Sequence, residues 1–223
     1  MKERPILFSG EMVRAILAGC KTQTRRVVKP TMTPPRVAPL RMEPWIIDGE
    51  WQQDDNGAPC WAGFHPDYPG DAKWFTCPYG QPGDRLWVRE TFTVITGDIS
   101  GKVATSLDAV EYRADGSAVG DVITSARAWR PSIFMPRAYS RITLEIVGVR
   151  CERVNEISEA DAQAEGADQE FRTVVYSPTG VKDYHMPVSF RGGFANLWDE
   201  INAKRGYSWD SNPWVWAVDF KRI

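Results

Sequence analysis

The sequence predicts an α+β fold, a small, mainly antiparallel β-barrel with flanking helices and a long irregular insertion. Three observations predict it. Segments with two-residue alternation outnumber helical ones, and the two types do not alternate along the chain as a parallel sheet would require. Helical periodicity with start and stop signals is confined to a few short stretches, the strongest running through Phe194, Leu197, Trp198 and Ile201. Between Lys29 and Pro82, ten prolines interleave with four tryptophans. That proline density prevents long helices and central strands, and the tryptophans argue against a disordered linker. No internal repeat is present, and the chain reads as a single domain over 1–223 with its insertion at about 30–82.

Taken in order, Pro5 to Phe8 reads as an opening strand. Ser9 offers an N-cap, Glu11 suits the positive end of a helix, and Met12, Val13, Ile16 and Leu17 share one helical face ending at Gly19. A strand is expected at Arg26 to Val28. The insertion follows, irregular but packed, with a hairpin around Asp55-Asn56-Gly57. Pro82-Gly83-Asp84 is a turn into the alternating strand Arg85 to Arg89, with Arg85, Trp87 and Arg89 on one face. A strand over Val110 to Arg113 enters a turn, and Ala128 to Arg137 is a proline-broken connector. Arg141 to Val149 is the clearest strand, with a change of apolar parity that predicts a bulge near Gly148. Ser158 caps a short alanine-rich helix stopping at Glu165-Gly166, residues 167 to 187 read as a loop, and Trp214 to Phe220 alternate in a closing strand.

The 223 residues are 43% hydrophobic and 25% charged, with a formal net charge of −2. Such a balance argues against a protein held to long nucleic acid by bulk electrostatics, and leaves room for a small cationic pocket taking one nucleotide or a short single strand. No apolar run approaches the ~20 residues of a membrane span and no secretory h-region follows Met1, so no membrane partner and a cytoplasmic location are expected. The sequence is silent on oligomeric state. Cys20, Cys60, Cys77 and Cys151 lie far apart, so disulfides are not expected. Cys60, His65 and Cys77 match no standard zinc spacing, and the expected site has neither metal nor cofactor.

The stretch Gly19-Cys20-Lys21-Thr22-Gln23-Thr24-Arg25-Arg26 has many donors and little apolar surface. It is either a solvated turn or the floor of a polar site, since burying its donors unpaired would cost several kcal/mol. Gly19, Lys21 and Arg26 fit the G-x-K-x-x-x-x-R signature of the ASCH superfamily, and the order of elements is also similar. The resemblance implies a PUA-like barrel. Within that group the chain looks like the larger phage- and prophage-type members and, over its core, resembles the bacterial N4-acetylcytidine amidohydrolases. Their catalytic lysine and threonine, three positions apart in a K-T-x-T run, correspond to Lys21 and Thr24. Their glutamate on a later short helix corresponds to Glu165. Cys20 stands where smaller relatives carry a basic residue, and the insertion is foreign to them.

That resemblance implies a hydrolase that removes the acyl group from N4-acetylcytidine or a related modified nucleoside. Thr24 is the candidate nucleophile. Lys21 either takes its proton or, protonated, stabilises the oxyanion; Glu165 shuttles a proton to the leaving amine or activates water. Arg25, Arg26, Arg85 and Trp87 are the candidate substrate-binding residues. The alternative is a non-catalytic module binding a modified base or short single-stranded RNA, in which Lys21, Arg25 and Arg26 contact phosphate and Trp87 stacks on a base. A ribonuclease is the third reading.

Overall fold

The computed structural model describes residues 1–29, 41–44, 46–47, 50–51, 60–64, 72–95, 109–116, 128–175 and 183–223. The chain opens with β1 (Glu3–Leu7), α1 (Gly10–Leu17) and β2 (Gln23–Val27). Short pieces of the insertion form β3 (Arg41–Pro44), which ends on a proline, and the proline-free β4 (Ile46–Ile47), β5 (Glu50–Trp51), β6 (Cys60–Phe64) and β7 (Ala72–Thr76). There follow β8 (Arg85–Arg89), β9 (Phe92–Ile95), β10 (Ala109–Tyr112) and β11 (Thr143–Arg153). The chain then runs through α2 (Glu159–Ala164), β12 (Glu170–Val175), β13 (Asp183–Ser189), α3 (Phe190–Asn202) and β14 (Trp214–Arg222).

The principal sheet has the order β1-β8-β11-β14-β2. Only β1 and β8 run parallel; the other neighbours are antiparallel. Helices and strands are therefore mixed as expected, but the main-chain ladder stays open, with β1 and β2 at its edges. β1 is five residues long with Pro5 at its centre, so it has few N–H groups to give a second neighbour. A side chain spans the gap instead: Arg26 Nη2 of β2 donates to the Leu7 carbonyl of β1 at 2.6 Å, and its guanidinium lies 5.2 Å from the Phe8 ring centre.

Alternation decides what each face buries. Leu86 and Val88, Leu144 and Ile146, and Trp216, Val218 and Phe220 meet Ile6, Phe8, Val13 and Ile16 in one core. Val215, one step away on β14, joins Val154, Ile157, Ala162, Phe194 and Trp198 in a second core under α2 and α3. β14 is thus covered on both sides, which is why Val215 to Val218 are all buried. The insertion adds a three-stranded sheet, β3-β6-β7, tied to the main core where the Trp61 ring meets Trp216 edge-on at 4.9 Å. It therefore holds short regular strands between its prolines, more order than the composition suggests. The Asp55-Asn56-Gly57 hairpin lies outside the described residues.

The bulge appears where parity shifted: the β11–β14 register slips between Ile146 and Gly148. Gly148 faces Asp219, and an added Cβ would stand 2.8 Å from Asp219 Oδ2. The 167–187 loop is corrected in part, because β12 and β13 form an antiparallel pair. They pair with each other and not with the principal sheet, and Pro187 inside the second strand hid the pattern. The turn at 177–180 lies outside the described residues.

Asp84 fixes the entrance of the chain. Its carboxylate accepts from Lys2 N at 2.6 Å, Arg4 Nη1 at 2.8 Å and Gln81 N at 3.4 Å. Burial would raise its carboxyl, but those donors and the Arg4 charge outweigh it and hold it below the usual range. A group with a lowered folded pKa adds stability above its unfolded value that is lost as pH falls through the folded one. Urea midpoints measured from pH 6 down to pH 2 should therefore fall less steeply in Asp84→Asn than in the parent, which loses this contribution only in the acid limb.

Candidate active site

Two short helices end the same way, and their ends meet. Ser9 Oγ accepts from Met12 N at 3.4 Å to start α1, and Gly19, at φ +76°, stops it. Ser158 Oγ accepts from Asp161 N at 3.0 Å to start α2, and Gly166, at φ +73°, stops it. The loop after α1 docks on the last carbonyls of α2, which a helix leaves without internal partners. Thr22 N donates to Ala164 O at 2.8 Å, while Lys21 Nζ donates to Glu165 O at 2.6 Å. On its other side the loop is held by β14, whose Phe220 N donates to Thr22 O at 2.9 Å.

This docking brings Lys21 and Glu165 together. Lys21 Nζ lies 2.6 Å from Glu165 Oε2, with Lys21 only 2% and Glu165 5% exposed. Burial lowers the Lys21 pKa, outweighing the attraction of Glu165 that raises it, and the Arg26 and Arg25 charges lower it further. Gly166 makes the approach possible. A Cβ there would stand 3.1 Å from Ala15 Cβ and 3.3 Å from Lys21 Cβ.

The rest of the motif belongs to β2, which starts earlier than expected, so Gln23 and Thr24 sit in a strand and not in a turn. Arg25 is buried among acids. Its Nε donates to Glu152 Oε1 at 2.8 Å, its Nη2 lies 3.3 Å from Asp161 Oδ2, and its Nη1 lies 3.4 Å from Glu165 Oε1. Arg150 closes the same network onto Glu152, Asp161 and Asp219 at 2.8, 3.0 and 2.8 Å. Gln23 links it internally, donating to Asp219 and Asp161 and accepting from Arg25. Burial would raise the Asp161 carboxyl, but the Gln23 hydrogen bond and the Arg150 and Arg25 charges hold it below the usual range. The bulge at Gly148 is what places Asp219 within this group.

Thr24, Arg25, Arg26 and Glu165 line a cleft of about 350 Å³. Its walls come from Tyr79, from Phe194, Leu197 and Trp198 of α3, and from Arg205 and Tyr207 just beyond it. Volume and lining are those of a small-molecule site, apolar with a few convergent polar groups. Lys21 is absent from the lining and reaches the cleft through Glu165. A second groove of about 780 Å³ lies on the other side, sharing Met12, Glu165 and Leu197 and adding Glu11, Asp168 and Glu200.

The structure thus brings Lys21, Thr24, Glu165, Arg25 and Arg26 to one place, and leaves Arg85 and Trp87 out of it. Trp87 is buried on β8, three strands from β2, with Arg89 4.7 Å and Arg137 6.0 Å from its ring centre. Those arginines cover the ring as a surface tryptophan is covered. Cys60 and Cys77 are buried, burial pushing the Cys77 thiol up to about 11, and His65 lies outside the described residues. Sequence reasoning missed Gln23, Tyr79, Arg205 and Tyr207. Parity gave a signal for Gln23, which shares the Arg25 face of β2; the others are gathered only by the fold.

Comparisons with protein-family models, curated proteins and solved structures give no match to this chain.

Removing one partner of a buried ion pair leaves an uncompensated charge, at a cost of about 3–5 kcal/mol. Lys21→Met and Glu165→Leu should each destabilise the protein by about that much in urea unfolding, and the double variant by less than either single change. Gly166→Ala, strained at positive φ and crowded against Lys21, should also destabilise, by more than about 1 kcal/mol.

Proposed function

We propose that the protein is an amidohydrolase that removes the acetyl group from N4-acetylcytidine or a closely related N-acylated nucleobase. The observation that carries this reading is the meeting of Thr24 and Glu165 on one cleft, with the Lys21 ammonium buried against the Glu165 carboxylate at 2.6 Å. A hydroxyl, a group that can move a proton and a cation at a water-poor site are the components amide hydrolysis needs. The aromatic walls suit a planar base.

In the first step, Thr24 Oγ1 attacks the acetyl carbonyl carbon and passes its proton to Glu165. The C–N4 bond then breaks, its electron pair goes to N4, and N4 takes the proton from Glu165, releasing cytidine. Water adds to the Thr24 acetyl ester with Glu165 again taking the proton; collapse returns that proton to Thr24 Oγ1 and releases acetate. Lys21 Nζ, 2.6 Å from Glu165 Oε2, holds the carboxylate in position between steps. Arg26, which lines the cleft with its Nε free of a hydrogen-bond partner among the described residues, is placed to stabilise the oxyanion.

The binding-module reading draws less support. Lys21 and Arg25 are buried and already paired with acids, so neither presents an uncompensated charge to phosphate, and Trp87 is covered. Among the described residues no helix is long and apolar enough to cross a membrane.

Acetate release from N4-acetylcytidine should be measurable with the parent and fall at least ~100-fold in Thr24→Ala, a variant that leaves the ion pair intact. A folded parent that releases no acetate from a panel of N4-acylated cytidines would sink the reading. The Lys21 pKa is lowered and its charged form is the one required. Rates should therefore decline on the alkaline side at a pH below the ordinary lysine range; a rate that climbs there instead would make Lys21 the base.

A further inference from the structure

Cations along the cleft are distributed in a way that hydrolysis of a bare base does not require. Arg26, Lys29 and Arg205 all line it, and Glu165, the one lining carboxylate among the described residues, is already held by Lys21 and Arg25. Lys29 and Arg205 are exposed, and neither has an ion pair among the described residues. Arg26 spends its Nη2 on a neutral carbonyl, that of Leu7, and its buried Nε has no partner among the described residues. Burial lowers the Arg26 pKa against the raising effects of Tyr79 and Glu165, with a smaller contribution from the like charge of Arg205.

Three such cations on one cleft are not the by-product of a basic protein, since the chain carries a net charge of −2. The neighbouring groove, which shares Glu165, is lined by Glu11, Asp168 and Glu200 and also by Arg14; apart from Glu165, none of those acids lines the cleft itself. The reacting end is Thr24 on β2, and Lys29 lies five residues on, two beyond the end of the strand at Val27, a reach of up to about 16 Å of chain. That run is long enough for a base at one end and a sugar phosphate towards the other.

We infer that the Lys29–Arg205 end of the cleft is a phosphate subsite, and that the molecule this cleft takes is a cytidine mononucleotide. The inference rests on the proposed function for the acetyl group but not for the phosphate, which any cytidine nucleotide would present. Guanidinium and ammonium donors free of carboxylates match a phosphate's acceptor oxygens, and an enclosed aromatic wall favours one base over a stacked strand.

Calorimetric titration of the parent with CMP and with cytidine tests the subsite directly. CMP should bind about tenfold more tightly than cytidine at low salt, the size of one charge-assisted hydrogen bond, and the ratio should shrink as salt is added. In Arg205→Ala and in Lys29→Ala, both exposed positions, the ratio should also shrink. Equal affinities for CMP and cytidine, or a ratio unmoved by both substitutions, would overturn the subsite. A trinucleotide with a central cytidine that binds more tightly than CMP would overturn the assignment to a mononucleotide. Acetate release from N4-acetylcytidine and its 5′-monophosphate is measured alongside. Tight CMP binding with no acetate from either supports the subsite and removes only the hydrolase reading; equal kcat/KM for the two, with equal binding, removes only the subsite.

Discussion

The seating of the loop after α1 on the last carbonyls of α2 is the constraint from which the rest of the site follows. Thr22 donates a main-chain hydrogen bond to Ala164 and Lys21 a side-chain one to Glu165, so two otherwise unpaired helix carbonyls are satisfied at once. The ammonium that caps the helix is the same group that pairs with the Glu165 carboxylate. One cation thereby joins segments 144 residues apart. Glycine at 166 is what lets the Lys21 stem approach, because any side chain would occupy the space it needs.

Around that contact the protein gathers charge, with Lys21, Arg25 and Glu165 buried and Arg150, Asp161 and Asp219 part-exposed. Lys21, Arg25 and Arg150 meet Glu152, Asp161, Glu165 and Asp219, with Gln23 spanning the middle. Desolvating so many ions is costly, and an apolar core of the same volume would be at least as stable. Such a network is retained where its geometry or its charge has a task. Here it fixes β2 against α2, leaves Thr24 and Glu165 facing the cleft, and turns Asp219 inward through the bulge at Gly148.

Arg26 occupies a different position, between the two open edges of the principal sheet. It links β2 to the Leu7 carbonyl of β1 without adding a ladder hydrogen bond. The sheet consequently remains open where a closed barrel was expected, and the opening is where the cleft forms. Fold and site are coupled at this residue: shortening β1 through Pro5 and the Ser9 cap leaves room for a side chain to do what a strand pairing would otherwise do.

Much of this was legible in the residues. Ser9 and Ser158 as caps, Gly19 and Gly166 as stops, the parity of Leu86 and Val88, and the bulge near Gly148 all depend on neighbours a few positions away, and local sterics and hydrogen bonding decide them. Lys21, Thr24 and Glu165 were found as candidates by resemblance, not by any local rule. The enclosure of Arg25 and the recruitment of Tyr79, Arg205 and Tyr207 to the cleft were not legible. They depend on which elements become neighbours around the order β1-β8-β11-β14-β2, and that order is set by burial over the whole chain. The β12–β13 pairing, outside that sheet, was hidden by Pro187 within the second strand. The sequence by itself determined where elements begin, end and turn their apolar faces; the tertiary structure alone decided which distant acid meets Lys21 and which side chains enclose it.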